Sequence, residues 1–406
     1  MSHNIHTLSN GLRIIHLPNS SPVAYCGYAI NAGTRDEATN EQGMAHFVEH
    51  LIFKGTHKRH SWHILNRMEH VGGDLNAYTN KEETVVYSAF LVEHFPRAVE
   101  LLTDIVFHST YPQPEIDKEV EVIIDEIQSY EDTPSELIFD DFEELIFPNH
   151  PLGRNILGKP DLLHQFKSED ALRFTGRFYR PDNMVFFVQG NMDFKRIVRL
   201  VEKAVSDVQA TTTRREREKP SDYIPRSLTM KRDTHQAHVM IGCRSYNTHD
   251  RKRTALYLLN NILGGPGMNS RLNVALRERS GLVYNVEANL TSYTDTGVFS
   301  IYFGTDPSDV DRCIRLVHKE LKRLREKPLS TTQLALAKKQ IIGQIGVAAD
   351  NFENNALNMG KTFLHYNKYE TPQEVFSRIQ ALTSQDLWEV ANEMFREENL
   401  STLVYL

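Results

Sequence analysis

Apolar residues at positions 44, 47, 48, 51 and 52 recur at helical spacing and predict a helix over about 41–54. The same periodicity predicts helices over about 61–71, 94–109, 115–130, 133–146 and 168–178. Between Leu8 and Leu17, Asn10-Gly11 sits among apolar positions and predicts a hairpin. Val23 to Ala32, Thr84 to Leu91 and Met184 to Gln189 read as strands, the last ending at Gly190. Strands interspersed with helices, several joined by tight turns, predict an α+β chain built in layers.

The pattern breaks between Thr211 and Pro225, a polar, charged stretch almost devoid of apolar residues. That is linker composition. The expected organisation is therefore a domain over 1–210, a linker over 211–225 and a second domain over 226–406. A break near the middle invites a search for duplication. Ala45, Phe47 and Gly55 fall opposite Ala255, Tyr257 and Gly265, and Ile123–Ile127 resembles Ile341–Ile345. The two halves thus read as one fold used twice.

At 406 residues the chain exceeds one ordinary core, and its 40% hydrophobic and 24% charged residues are globular composition. A net charge of −7 argues against a nucleic-acid or anionic-membrane surface. Cys26, Cys243 and Cys313 are odd in number and lack metal-knot spacing, which favours a reducing compartment. No segment reads as a signal peptide or a membrane span, so the expected location is the cytoplasm.

Chemistry concentrates in His46-Phe47-Val48-Glu49-His50. On a helix, positions i, i+3 and i+4 share a face, so three polar side chains can reach one point. Two neutral imidazoles suit zinc, and a carboxylate beside them can take a proton from a metal-bound water. The order H-x-x-E-H is that of the inverted zincins. Taken alone, the pentapeptide also describes two surface histidines near a solvated glutamate. The apolar surroundings weigh against that reading, because burying ionisable groups is costly unless something pairs with them.

A catalytic zinc site usually takes a third protein ligand. The acidic helix over 115–130 is the place to seek it. Glu119 and Glu126 lie two turns apart beside an apolar stripe of Ile116, Val120, Ile123 and Ile127. Glu126 is the expected ligand and Glu119 a supporting carboxylate. Their counterparts in the repeat are Gln344 and Ala337, and those of His46, Glu49 and His50 are Leu256, Leu259 and Asn260. Metal chemistry is therefore expected in the first half alone.

Over nearly its whole length the chain resembles the pitrilysin/insulinase zinc metallopeptidases, in particular short members related to the mitochondrial processing peptidase subunits. The resemblance rests on Gly43 to Thr56 as a zinc helix, on Gly72-Gly73-Asp74-Leu75-Asn76-Ala77-Tyr78-Thr79, and on Glu126 with Glu119. His150 to Arg154, Tyr179 to Asn183, Ser270-Arg271-Leu272 and Arg277 through Tyr284 extend it. It implies two αβ-roll domains, each an antiparallel sheet packed with helices and together half of a clamshell, the second lacking ligands. It implies Zn²⁺ on His46, His50 and Glu126, with Glu49 as general base. It also implies substrate contacts from Asn76, Ala77, Arg277 and Tyr284. The expected activity is hydrolysis of unfolded or short peptides inside a dimeric chamber. A homodimer is expected, and a heterodimer with a related chain stays open. Two other readings fit the motif: a catalytically inactive structural or partner subunit of the same fold, and a zinc scaffold without hydrolysis. Intact His46, Glu49, His50 and Glu126 favour the enzyme.

Overall fold

A computed structural model of the chain describes residues 3–212, 216–232 and 234–406. Within the expected linker, Thr213, Arg214 and Arg215 lie outside the described residues. The described chain divides into two compact units.

The first unit holds a six-stranded sheet of β1 (Asn4–Thr7), β2 (Arg13–Leu17), β3 (Val23–Ile30), β4 (Asp74–Thr79), β5 (Thr84–Leu91) and β6 (Met184–Gln189). Their order is β1-β2-β6-β3-β5-β4. Gly11, at φ +93, makes the turn between β1 and β2. The second unit holds β7 (Ser227–Met230), β8 (Ala237–Arg244), β9 (Val283–Ser292), β10 (Gly297–Thr305) and β11 (Ser401–Tyr405), in the order β7-β11-β8-β10-β9. With β1 set aside, the two orders are the same: β2, β6, β3, β5 and β4 correspond to β7, β11, β8, β10 and β9. The duplication suggested by a few identities is thus a shared topology. The sheets are not wholly antiparallel, since β2 pairs with β6, and β7 with β11, in parallel. In each unit the first strand of the repeated core lies beside the last, and a long crossover lets them run the same way.

The helices are α1 (Met44–Leu51), α2 (Ser61–Glu69), α3 (Phe95–Phe107), α4 (Gln113–Glu131), α5 (Pro134–Ile146), α6 (Pro160–Leu163), α7 (Ser168–Phe178) and α8 (Phe194–Ala204), followed by α9 (Arg253–Gly264), α10 (Val310–Glu326), α11 (Thr331–Ala348), α12 (Phe352–Tyr366), α13 (Pro372–Ala381) and α14 (Ser384–Met394). The units are not two uninterrupted stretches of sequence. Residues 128–153, with α5, belong to the second unit, and residues 349–370, with α12, belong to the first. The reason is apolar burial. On α12, Ala356, Met359 and Phe363 cover Ile15, Val85, Val185 and Phe187 of the first sheet. Gly360 lies so close to Phe187 that a Cβ there would stand 2.5 Å from the ring. On α5, Ile138, Phe142 and Ile146 pack with Met240, Tyr302 and Leu403 of the second sheet. Hydrophobic spacing identifies these helices but does not say whose sheet they cover. No helix among the described residues is long and apolar enough to cross a membrane.

Candidate metal centre

The residues of interest in the first unit lie on α1, α4 and β4. Gly43, at φ +95, opens α1, three residues later than the apolar pattern suggests. The left-handed turn is costly for other residues, and a Cβ would stand 2.8 Å from Gly158 Cα. Glu37 completes the start of the helix. Its carboxylate accepts the Gly43 and Ala45 amides at 2.9 and 2.8 Å, satisfying donors that a helix N-terminus leaves open. Burial pushes the Glu37 carboxyl up to about 8, although the two amides and Arg154 pull it down. Spacing alone gives no sign of this residue, because its partners are backbone groups.

α1 buries Met44, Ala45, Phe47, Val48 and Leu51 and carries His46 inward with them. His50, one turn on, leaves its ring centre 4.5 Å from that of His46. α4 buries Ile116, Val120, Ile123 and Ile127 along one stripe, with Glu119 and Glu126 beside it. His46 Nε2 lies 3.8 Å from Glu126 Oε1, and His50 Nε2 lies 3.7 Å from Glu126 Oε2. One ligand atom from each of the three lies within 4.8 Å of the others, the one such group among the described residues.

These separations are too long for hydrogen bonds. Two ligands about 2.1 Å from one tetrahedral ion stand roughly 3.4 Å apart, close to the observed spacing. At His46, protonation also favours a cation. Burial, with His50 nearby, pushes His46 down to about 3, so its imidazole is neutral and its lone pair available. His46 Nδ1 is buried with no protein partner. The His₂Glu set therefore fits zinc.

His50 is oriented from behind. Its Nδ1 meets Glu119 Oε1 at 2.9 Å, leaving Nε2 toward Glu126. The other Glu119 oxygen receives Lys54 Nζ at 2.7 Å. Burial opposes the Glu119 charge, but His50 and Lys54 outweigh it and hold the carboxyl below its usual range. Burial likewise opposes charge on His50, yet Glu119, Glu49 and Glu126 raise it overall. Lys54, just beyond the end of α1, is thus a partner of the supporting carboxylate.

Glu49 is partly buried on the same helix. Burial raises its carboxyl, a hydrogen bond from Thr79 and the nearby His50 lower it, and Glu126 raises it further. Thr79 ends β4, the strand that carries Asn76 and Ala77. β4 is the last strand of its sheet, paired with β5 through Asn76↔Tyr87 and Ala77↔Val86. Asn76 is exposed and Ala77 half-buried. In the second unit, Arg277 lies in a π-helical turn, Asn273–Glu278, with its guanidinium 5.6 Å from the ring centre of Tyr284. Tyr284 is 83% exposed, so packing in the sheet does not account for it. The counterpart helices α9 and α11 carry Leu256, Leu259, Asn260 and Gln344 where α1 and α4 carry ligand-type residues.

The family model described as Insulinase (Peptidase family M16) matches residues 13–160, and that described as Peptidase M16 inactive domain matches residues 165–341. His46, Glu49, His50 and Glu126 all fall in the first. The chain is 31% identical to the uncharacterized zinc protease YmxG of Bacillus subtilis, over 98% of this chain and 97% of that protein. It is also 31% identical to an uncharacterized zinc protease of Rickettsia bellii, over 99% and 97%. In fold it resembles a peptidase M16 inactive domain from Pseudomonas fluorescens, with a TM-score of 0.93 at 16% identity, covering 100% of this chain and 98% of that one. A protease from Helicobacter pylori superposes with a TM-score of 0.91 at 21% identity, covering 100% and 99%. Full-length identity to these zinc proteases, with both family models in sequence order, makes the chain a short member of the insulinase family, peptidase family M16.

Proposed function

We propose that this protein is a zinc metalloendopeptidase acting on unfolded or short peptides. The observation that carries the reading is the convergence of His46, His50 and Glu126, with Glu49 one residue before the second histidine. These three would hold Zn²⁺, which when bound polarises a peptide carbonyl and makes water a better nucleophile near neutral pH. Glu49 takes the proton from the attacking water and delivers it to the leaving amine. Its raised carboxyl pKa suits that exchange. An extended peptide adds along the unpaired edge of β4, held mainly by main-chain hydrogen bonds, with Asn76 and Ala77 beside it. Such binding reads backbone more than side chains and accepts many sequences. Arg277 and Tyr284 are the substrate contacts of the second unit: a guanidinium for a carbonyl or carboxylate, and a phenol to donate a hydrogen bond as charge develops. The working form is a homodimer enclosing a chamber, in the cytoplasm.

The test is zinc content and cleavage of a quenched peptide by the purified chain and two variants. Glu49→Gln retains zinc and loses turnover by at least about 10²-fold, whereas His46→Ala loses zinc. Full turnover in Glu49→Gln rules the mechanism out. A wild-type chain that holds zinc but cleaves no peptide points to a scaffold or an inactive subunit.

A further inference from the structure

The first unit has a second concavity, separate from the metal ligands. It is a cavity of about 290 Å³ formed by α2, the loop before it and Arg97 of α3. Its volume lies near the lower end for small-ligand sites. Lys58, Arg59, Arg67 and Arg97 line it together with Trp62 and histidines, and no acidic residue does so. That is a local excess of cations in a chain of net charge −7.

The cations are not all spent on the protein. Arg59 is committed, reaching both Glu100 oxygens at 2.7 Å and Asp104 at 2.5 Å. Arg67 meets Glu100 only at 3.5 Å, and its side chain is 37% exposed. Arg97 gives one N–H to the Arg67 carbonyl at 2.9 Å. Among the described residues, neither Arg97 nor Lys58 has a carboxylate within ion-pair distance. Three cationic side chains thus retain donors that an oxyanion can use. The aromatic wall is equally specific. Trp62 is 63% exposed, far from the usual environment of a large ring. It stands edge-on to His63 and His70, with centroid distances of 5.2 and 6.2 Å. A flat ligand ring can stack on the open indole face.

We propose that this cavity binds a nucleoside polyphosphate, its phosphoryl groups held by Lys58, Arg67 and Arg97 and its base stacked on Trp62. Chain-held metal is not the alternative, because the pocket histidines form no group with metal-sharing spacing among the described residues.

The test titrates the full-length zinc-loaded chain with ATP, inorganic triphosphate and adenosine, following heat and tryptophan fluorescence. The chain has two tryptophans, and Trp388 is tied through its indole N–H to the Arg325 carbonyl. Stacking on Trp62 should therefore dominate the quenching. ATP binds saturably and quenches, triphosphate binds more weakly without quenching, and adenosine alone does not bind. Arg97→Ala and Lys58→Ala each weaken ATP by roughly tenfold. Lys58 is exposed and, among the described residues, its ammonium has no carboxylate partner, so that variant remains informative if Arg97→Ala fails to fold. No saturable binding of ATP at millimolar concentration overturns the proposal. So does unchanged affinity in Lys58→Ala together with any folded Arg97→Ala. Triphosphate binding as tightly as ATP overturns the nucleotide assignment.

Discussion

Replacing Glu119 should cost zinc affinity although Glu119 itself is no ligand. One of its oxygens fixes His50 through Nδ1 at 2.9 Å, and the other holds Lys54 at 2.7 Å, with the residue 6% exposed. Removing the carboxylate frees the imidazole to rotate, lowers its basicity and leaves the Lys54 ammonium beside the site. Loss of such an outer partner typically weakens metal binding by about 10–100-fold, or about 1.4–2.8 kcal/mol. Glu119→Gln retains an acceptor for His50 but turns an amide N–H₂ toward Lys54, so it should fall near the lower end. Glu119→Ala should reach the upper end. Competition with a chromophoric zinc chelator at fixed pH gives the affinities, and circular dichroism establishes that each variant is folded. If both folded variants bind zinc within about twofold of the parent, the carboxylate does not orient His50 and the reasoning fails.

Gly43→Ala places a side chain in a left-handed turn and against Gly158, so stability should fall by about 1–3 kcal/mol. A melting temperature unchanged from the parent would show that α1 starts without strain. Glu37 gives a pH signature. Its folded pKa of about 8 lies above the ordinary 4.5, so its stabilising contribution is complete below pH 4.5 and drains away as pH rises toward 8. Denaturant titrations of the metal-free chain should show a decline near 1 kcal/mol per pH unit in that window. Glu37→Gln should flatten the decline, and equal slopes would refute the assignment. Arg217 pairs with Asp36 at 3.1 Å and Glu82 at 3.0 Å, all three side chains at most 13% exposed. Arg217→Met should destabilise by about 1–3 kcal/mol, because it takes a cation from the buried Asp36 carboxylate, while Glu82 keeps Arg35 at 2.7 Å. A chemical-denaturation midpoint equal to that of the parent would contradict this.

Much of the local structure is legible from hydrophobic spacing. Thr84–Leu91 and Met184–Gln189 are strands as the pattern predicts, and α7 spans the predicted 168–178. α1 is shorter than its pattern, because the left-handed Gly43 opens it and residues 52–54 turn away after it. The stripe on α4 shows which edge of the helix carries Glu119 and Glu126, but spacing alone does not choose between them as the ligand. Glu37, Lys54 and Thr79 escape such reading, because their roles depend on backbone amides or on side chains distant in sequence. The exchange of α5 and α12 escapes it too, since an amphipathic stripe records that a face is buried and not by which sheet.

That exchange bears on how the polypeptide is made. The first sheet leaves the ribosome with Val85, Val185 and Phe187 wet on one side. Its lid, residues 352–366, is synthesised only after all six strands of that sheet. An amino-terminal fragment ending in the linker would keep that greasy surface bare, so the nascent first unit depends on a segment made much later to cover it.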